Sequence, residues 1–167
     1  MILSKRTLIN LALLTLIVLL SIYIQKNPVK RITTAESFTD LQPEEVDTIV
    51  IQRKKDAIQV ILEKTEGGWM ITSPIDSAKA SPEIIEHLLG FLKLKSRHQH
   101  KITDPRQLQR YELNDPKITL FLNDQQFDFG NTNSFNHLRY VLHDNVVHSI
   151  KDITYHILNA DVESFQE

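Results

Sequence analysis

Seven histidines stand in the 167-residue chain, and two of them, His98 and His100, are separated by one residue, Gln99. Side chains alternate faces along an extended strand, so both imidazoles fall on one side of it. Two imidazoles are an incomplete ligand set, because zinc takes three or four protein ligands. His143 and His148 flank Asp144-Asn145, a pair suited to a two-residue hairpin turn, so they are able to meet across a hairpin. His137 and His156 have no partner at ligand spacing. No recognised metal motif is completed, and neither a metal nor a cofactor is expected. Cysteine is absent, which excludes thiolate zinc sites, iron–sulfur clusters, disulfides and cysteine nucleophiles.

The carboxylates are equally unpromising for catalysis. Glu44-Glu45 precede a strand, and Glu83 and Glu86 lie one turn apart on a helix. Both patterns are solvated, whereas acid–base pairs need a buried, convergent setting. Ser73, Ser77, Ser81, Ser134 and Ser149 lack the G-x-S-x-G context of a nucleophile elbow, and no phosphate-binding glycine loop occurs. The expectation is a non-enzymatic protein with no catalytic, cofactor-binding or metal-binding residue. A hydrolase using His98 and His100 on a metal is the least favoured alternative.

Lys93, Lys95, Arg97, His98, His100 and Lys101 form the candidate interaction surface. Cations suit the negative end of a helix dipole, so a solvated helix end is the plain reading of this cluster. It also suits anionic headgroups, a polysaccharide or an acidic partner. Trp69, Tyr111 and Tyr140 read as core, with a pocket lining as the alternative. The chain carries 19 Lys and Arg against 21 Asp and Glu. That balance argues against nucleic acid as a partner.

These residues must be positioned by the elements around them. Val46, Thr48 and Val50 alternate with Ile49 and Ile51; Ile58, Val60 and Leu62 alternate with polar neighbours; Trp69 and Ile71 alternate with Met70 and Thr72. With turns at Lys54-Lys55-Asp56 and Glu66-Gly67-Gly68, they predict an antiparallel meander. Ser81 and Pro82 open a helix whose face is Ile84, Ile85, Leu88, Leu89 and Leu92. Asp104-Pro105 opens a second, short helix ending near Leu113. Strands follow at 118–122, at Phe127 and Phe129 up to a break at Gly130, at 138–142, and from Val146 to Ile150. A helix of about residues 153–158 closes the domain. The predicted class is α+β: antiparallel strands with two or three packed helices.

Ahead of the domain lies an uncharged run, Thr7 to Gln25, with 14 apolar residues among its 19. As a helix it reaches about 28 Å, close to the thickness of a bilayer's hydrocarbon core. The small-x-small candidate that follows, Thr33-Thr34-Ala35, is weak and too far from the run, which favours an uncleaved anchor over a signal peptide. The expected organisation is a cytoplasmic tail (1–6), a transmembrane anchor (7–25), a polar linker (26–43), the α+β domain (44–160) and a C-terminal tail (161–167). Lipid contact through residues 7–25 and a location in the bacterial inner membrane, with the C-terminal domain outside the cytoplasm, follow from that reading.

Several segments resemble one known family. Gly68-Trp69-Met70-Ile71-Thr72-Ser73-Pro74 is similar to its W-x-I-x-x-P strand. Ala80-Ser81-Pro82 and the apolar helix after it resemble its capped helix. Tyr111-Glu112-Leu113-Asn114-Asp115-Pro116 resembles its Y-G-L-D-x-P turn, with Glu112 in place of Gly and Asn114 in place of Asp. Phe129-Gly130 and Arg139-Tyr140-Val141 are similar to its later strand marks. The family is the domain-of-unknown-function 4340 family of bacterial envelope proteins, and the resemblance spans about residues 45 to 158. It implies an α+β domain and an accessory role beside a transporter-type membrane complex. The functional expectation is a membrane-tethered interaction module with a protein partner, the alternative being a tethered glycan- or peptide-binding module.

Overall fold

The alternating segments pair as their polarity dictates. In the computed structural model, Arg6, Asn10, residues 13–18, Ser21, residues 36–75 and residues 77–167 are described. The chain divides into two units, Met1–Ile32 and Thr33–Glu167.

In the first unit the described residues are helical. Among the described residues, however, no helix is long and apolar enough to cross a membrane. This corrects the expectation of a single-pass anchor over residues 7–25 and the inner-membrane location derived from it. An apolar run is a statement of composition, whereas a span needs about 20 continuous, mainly apolar helical residues, and no described helix meets that condition. Residues 7–9, 11–12, 19–20 and 22–25 of the expected anchor, residues 1–5 of the expected tail and residues 26–35 of the expected linker lie outside the described residues.

The second unit is built on a nine-stranded antiparallel sheet. Its strands are β2 (Thr48–Arg53), β3 (Ile58–Thr65), β4 (Gly68–Ser73), β5 (Ala78–Lys79), β7 (His98–Lys101), β8 (Ile118–Leu122), β9 (Gln125–Thr132), β10 (Leu138–His143) and β11 (Val146–Lys151). They lie side by side in the order β5-β4-β3-β2-β8-β9-β10-β11-β7. A separate pair joins β1 (Glu36–Ser37) to β6 (Lys95–Ser96). The β10–β11 turn places Asp144 and Asn145 at φ 47° and 61°, the left-handed geometry that matches strand twist in a tight hairpin.

Register fixes one face of the sheet as the core. Ile49, Ile51, Val60, Leu62, Ile71, Leu120, Leu122, Phe127 and Val141 are fully buried there. Against them packs α1 (Pro82–Gly90), with Ile85 and Leu88 buried, and the 3-10 turn Phe91–Lys93 that follows it. Phe38, just after β1, completes an aromatic cluster: its ring lies 4.9 Å from Phe91, and Phe91 lies 5.2 Å from Phe127. The apolar helix face predicted from Ile84 to Leu92 is thus core. Ser81 occupies the N-cap but makes no side-chain cap bond.

The α+β class is corrected to a mainly β architecture. The helices are short: α1 has nine residues and the closing α2 (Tyr155–Leu158) has four. The segment opened by Asp104 is a 3-10 helix, Pro105–Tyr111, in which the Asp104 carboxylate accepts the Arg106 N–H at 2.9 Å. It ends at Glu112, which adopts φ 55° although it is not glycine. Two further departures enlarge the sheet. The basic stretch after α1 is strand rather than helix end, and β9 runs on through Gly130. Gly130 does not break the strand. It gives room for the Tyr111 carbonyl, which would sit 2.2 Å from a Cβ placed there.

Candidate interaction site at the open sheet edge

A sheet this wide has two edges, and they end differently. At β5, Glu167 donates its N–H to the Lys79 carbonyl at 3.0 Å, and Ser81 donates to Phe165 at 2.8 Å. The C-terminal segment therefore covers that edge. At the other end, among the described residues, β7 pairs with β11 alone. The Ile102 N–H reaches the Asn145 carbonyl at 2.7 Å and sets the phase of the ladder. His98 and His100 then bond to β11, opposite Ser149 and Val147. Alternation turns the backbone N–H and C=O of Gln99 and Lys101 outward. Arg97 also donates to the Ser149 carbonyl, at 2.8 Å, so β7 begins with two residues facing one. Among the described residues no hydrogen bond covers the outward groups.

The register places His98 and His100 on the same face, opposite the core, as an extended strand requires. Beside them is a cavity of about 230 Å³ whose walls include Tyr111, Tyr140, Asn133 and Val147. The Tyr111 and Tyr140 rings meet edge-on at 4.8 Å, and the His100 ring lies 6.1 Å from Tyr111. Asn133 donates its side-chain N–H to the Tyr140 hydroxyl at 2.8 Å and holds that wall in place. The Arg110 guanidinium stands 5.9 Å from the Tyr111 ring. The cavity is below the range of about 300–1,000 Å³ usual for small-molecule ligands and fits one side chain. Trp69, grouped with the tyrosines by sequence, packs against the core instead.

A second cavity, about 360 Å³, lies around the other end of β7 and is lined by Arg97, His98, His137 and Lys151. Asp152 at its wall is engaged by Arg139, at 2.7 Å from Nε and 2.8 Å from Nη2. Above it the 133–137 loop is held by hydrogen bonds from the Phe135 N–H to Asn133 Oδ1 (2.9 Å) and from the His137 N–H to the Asn133 carbonyl (2.9 Å). It leaves Phe135 97% exposed, which no sequence signal announced.

The remaining candidate groups do not converge. His143 and His148 do share one face of the β10–β11 hairpin, but that face is the core. His143 stacks on Phe127 at 4.3 Å, and its Nδ1 lies 3.0 Å from the Gln126 carbonyl. Burial pushes the His148 imidazole down to about 4, the neighbouring His143 adds to the shift, and Asp144 opposes it. Its Nδ1 is buried without a hydrogen-bond partner. Sequence reasoning passed over Asp128, which is also buried. Its carboxylate accepts from Thr119 Oγ1 at 2.7 Å and from Gln126 Nε2 at 2.9 Å, so it is a satisfied structural group. Among the described residues no group of three or more His, Asp or Glu is arranged to hold a metal ion.

The buried His148 makes stability depend on pH. Its value is about 4 in the fold and returns to 6.5 on unfolding. Between those values the unfolded chain holds more protons, so stability is complete above pH 6.5 and falls as the pH drops towards 4. Lowering the pH from 7.5 to 5 is expected to cost about 2 kcal/mol. Urea unfolding at both pH values measures it, and His148→Leu should flatten the dependence. Equal losses in the variant and the parent would assign the effect elsewhere.

No family model, curated protein or solved structure matches the chain.

Proposed function

We propose that the Thr33–Glu167 unit is a non-catalytic interaction module that binds an extended segment of another protein along β7. The observation that carries this reading is the open edge. Gln99 and Lys101 offer two N–H and two C=O groups in strand geometry, while the opposite edge is covered by the chain's own C-terminus. Main-chain pairing gives affinity in strand addition, and pockets for alternate side chains give selectivity. The tyrosine-walled cavity beside His98 and His100 adjoins this edge and would receive a long side chain of the added strand that reaches across β7. Natural edge strands are protected by being short and charged, and β7 has both features. Those features limit indiscriminate pairing and leave binding to a matched segment.

The test is titration of the full chain with dye-labelled decapeptides in which Val alternates with Glu, Ser or Lys, followed by fluorescence anisotropy. At least one peptide is expected to bind, and methylating its alternate backbone nitrogens is expected to abolish binding. Gln99→Pro should weaken binding by about tenfold, the equivalent of one good hydrogen bond, with little change in melting temperature, because the lost N–H points outward. Binding that survives backbone methylation, or the absence of binding by any of the three peptides, would overturn the proposal.

A further inference from the structure

We infer that the segment accepted by β7 is acidic, with carboxylates flanking the side chain that enters the tyrosine-walled cavity; this rests on the strand-addition reading. The argument comes from how the second unit uses its cations. Seven of its lysines and arginines form ion pairs within the chain, among them Lys54 with Asp115 and Lys79 with Glu167. Among the described side chains of this unit, the cations in no ion pair are Lys55 and six others: Lys93, Lys95, Arg97, Lys101, Arg110 and Lys151.

Those six lie on β7 and on the elements that lead into or flank it. Lys93 and Lys95 lie in the turn and strand leading to β7; Arg97 precedes it and Lys101 ends it. Arg110 stands over the Tyr111 wall, and Lys151 lines the second cavity with Arg97 and His98. All six are exposed. Composition does not explain them, because the whole chain has more carboxylates than Lys and Arg. The carboxylates of Asp104, three residues after β7, and of Asp152, just after β11, are held by Arg106 and Arg139. Among the described side chains around β7, cations without an ion-pair partner predominate, with Asp144 at the neighbouring turn the exposed exception, and that excess steers a carboxylate-bearing partner and disfavours a basic one.

The three decapeptides separate this inference from the reading beneath it. At about 50 mM salt the Glu peptide is expected to bind about tenfold tighter than the Ser peptide, with the advantage shrinking at 500 mM as screening shortens to about 4–5 Å. The Arg97→Glu, Lys101→Glu double variant changes two exposed side chains and should reverse the order, so that the Lys peptide binds tightest. If the Ser and Glu peptides bind equally well at low salt, or if charge reversal leaves their order unchanged, the acidic-partner inference fails while strand addition stands. If none binds, both fail, and the cations serve only to keep the edge from pairing.

Discussion

Gly130→Ala is expected to lower the stability of the second unit by more than about 3 kcal/mol and to dismantle the tyrosine wall of the β7 cavity with it. A Cβ at this position would meet the Tyr111 carbonyl oxygen at 2.2 Å and Leu113 Cγ at 2.9 Å. The first of these is backbone at the end of the Pro105–Tyr111 helix, so no rotamer change relieves it. One escape is for that segment to lift, which would expose Leu113, now 3% accessible, and withdraw Tyr111 from Tyr140. The other is for β9 to bend, which would strain the bond from Arg139 Nη1 to the Gly130 carbonyl at 2.6 Å. Urea denaturation of the variant, read beside decapeptide binding, checks both consequences. A loss below 1 kcal/mol would mean that the two backbones do not cross as closely as described.

Phe91→Ala should cost about 3–5 kcal/mol, towards the upper end. The ring is fully buried and stands within 4.9–5.4 Å, centroid to centroid, of Phe38, Phe127 and Phe129. Such aromatic pairs add about 0.5–1.5 kcal/mol beyond the area they bury. Phe91 also joins three parts of the unit, since α1 ends beside it, Phe38 follows β1 and the other two rings belong to β9. The denaturation midpoint is expected to fall for Phe91→Ala and to stay within about 0.5 kcal/mol of the parent for Phe135→Ala, whose ring is 97% exposed. Equal effects at the two positions would refute the placement of the core.

Much of the local structure is legible in residue order. Period-two alternation marks β2, β3, β4 and β8 with small errors at their ends, and the Asp144-Asn145 pair marks the hairpin that the left-handed dihedrals complete. The apolar spacing from Ile84 to Leu92 identifies the core face of α1, and the spacing of His98 and His100 places both on one side. These features are local: a side chain's face depends on its own strand or helix and on whether it prefers water.

The candidate site was less legible for a physical reason. Lys93 to Lys101 carries mostly polar side chains, and polar side chains are equally content on a solvated helix end and on a solvated edge strand. Pairing with β11 decides between them, and that partner lies about fifty residues away in sequence. The apolar run at 7–25 shows the same limit, because composition counts greasy residues but does not by itself establish a spanning helix.

By itself, then, the amino-acid order determined the absence of cysteine chemistry, the alternation of most strands and the apolar face of α1. Only the tertiary structure decided that β7 is the open edge, that Tyr111 and Tyr140 meet while Trp69 turns to the core, and that Gly130 yields space to a crossing backbone. The division follows from range: periodicity is set by neighbours along the chain, whereas strand order and backbone crossings are set by packing between segments whose separation in sequence leaves no local trace.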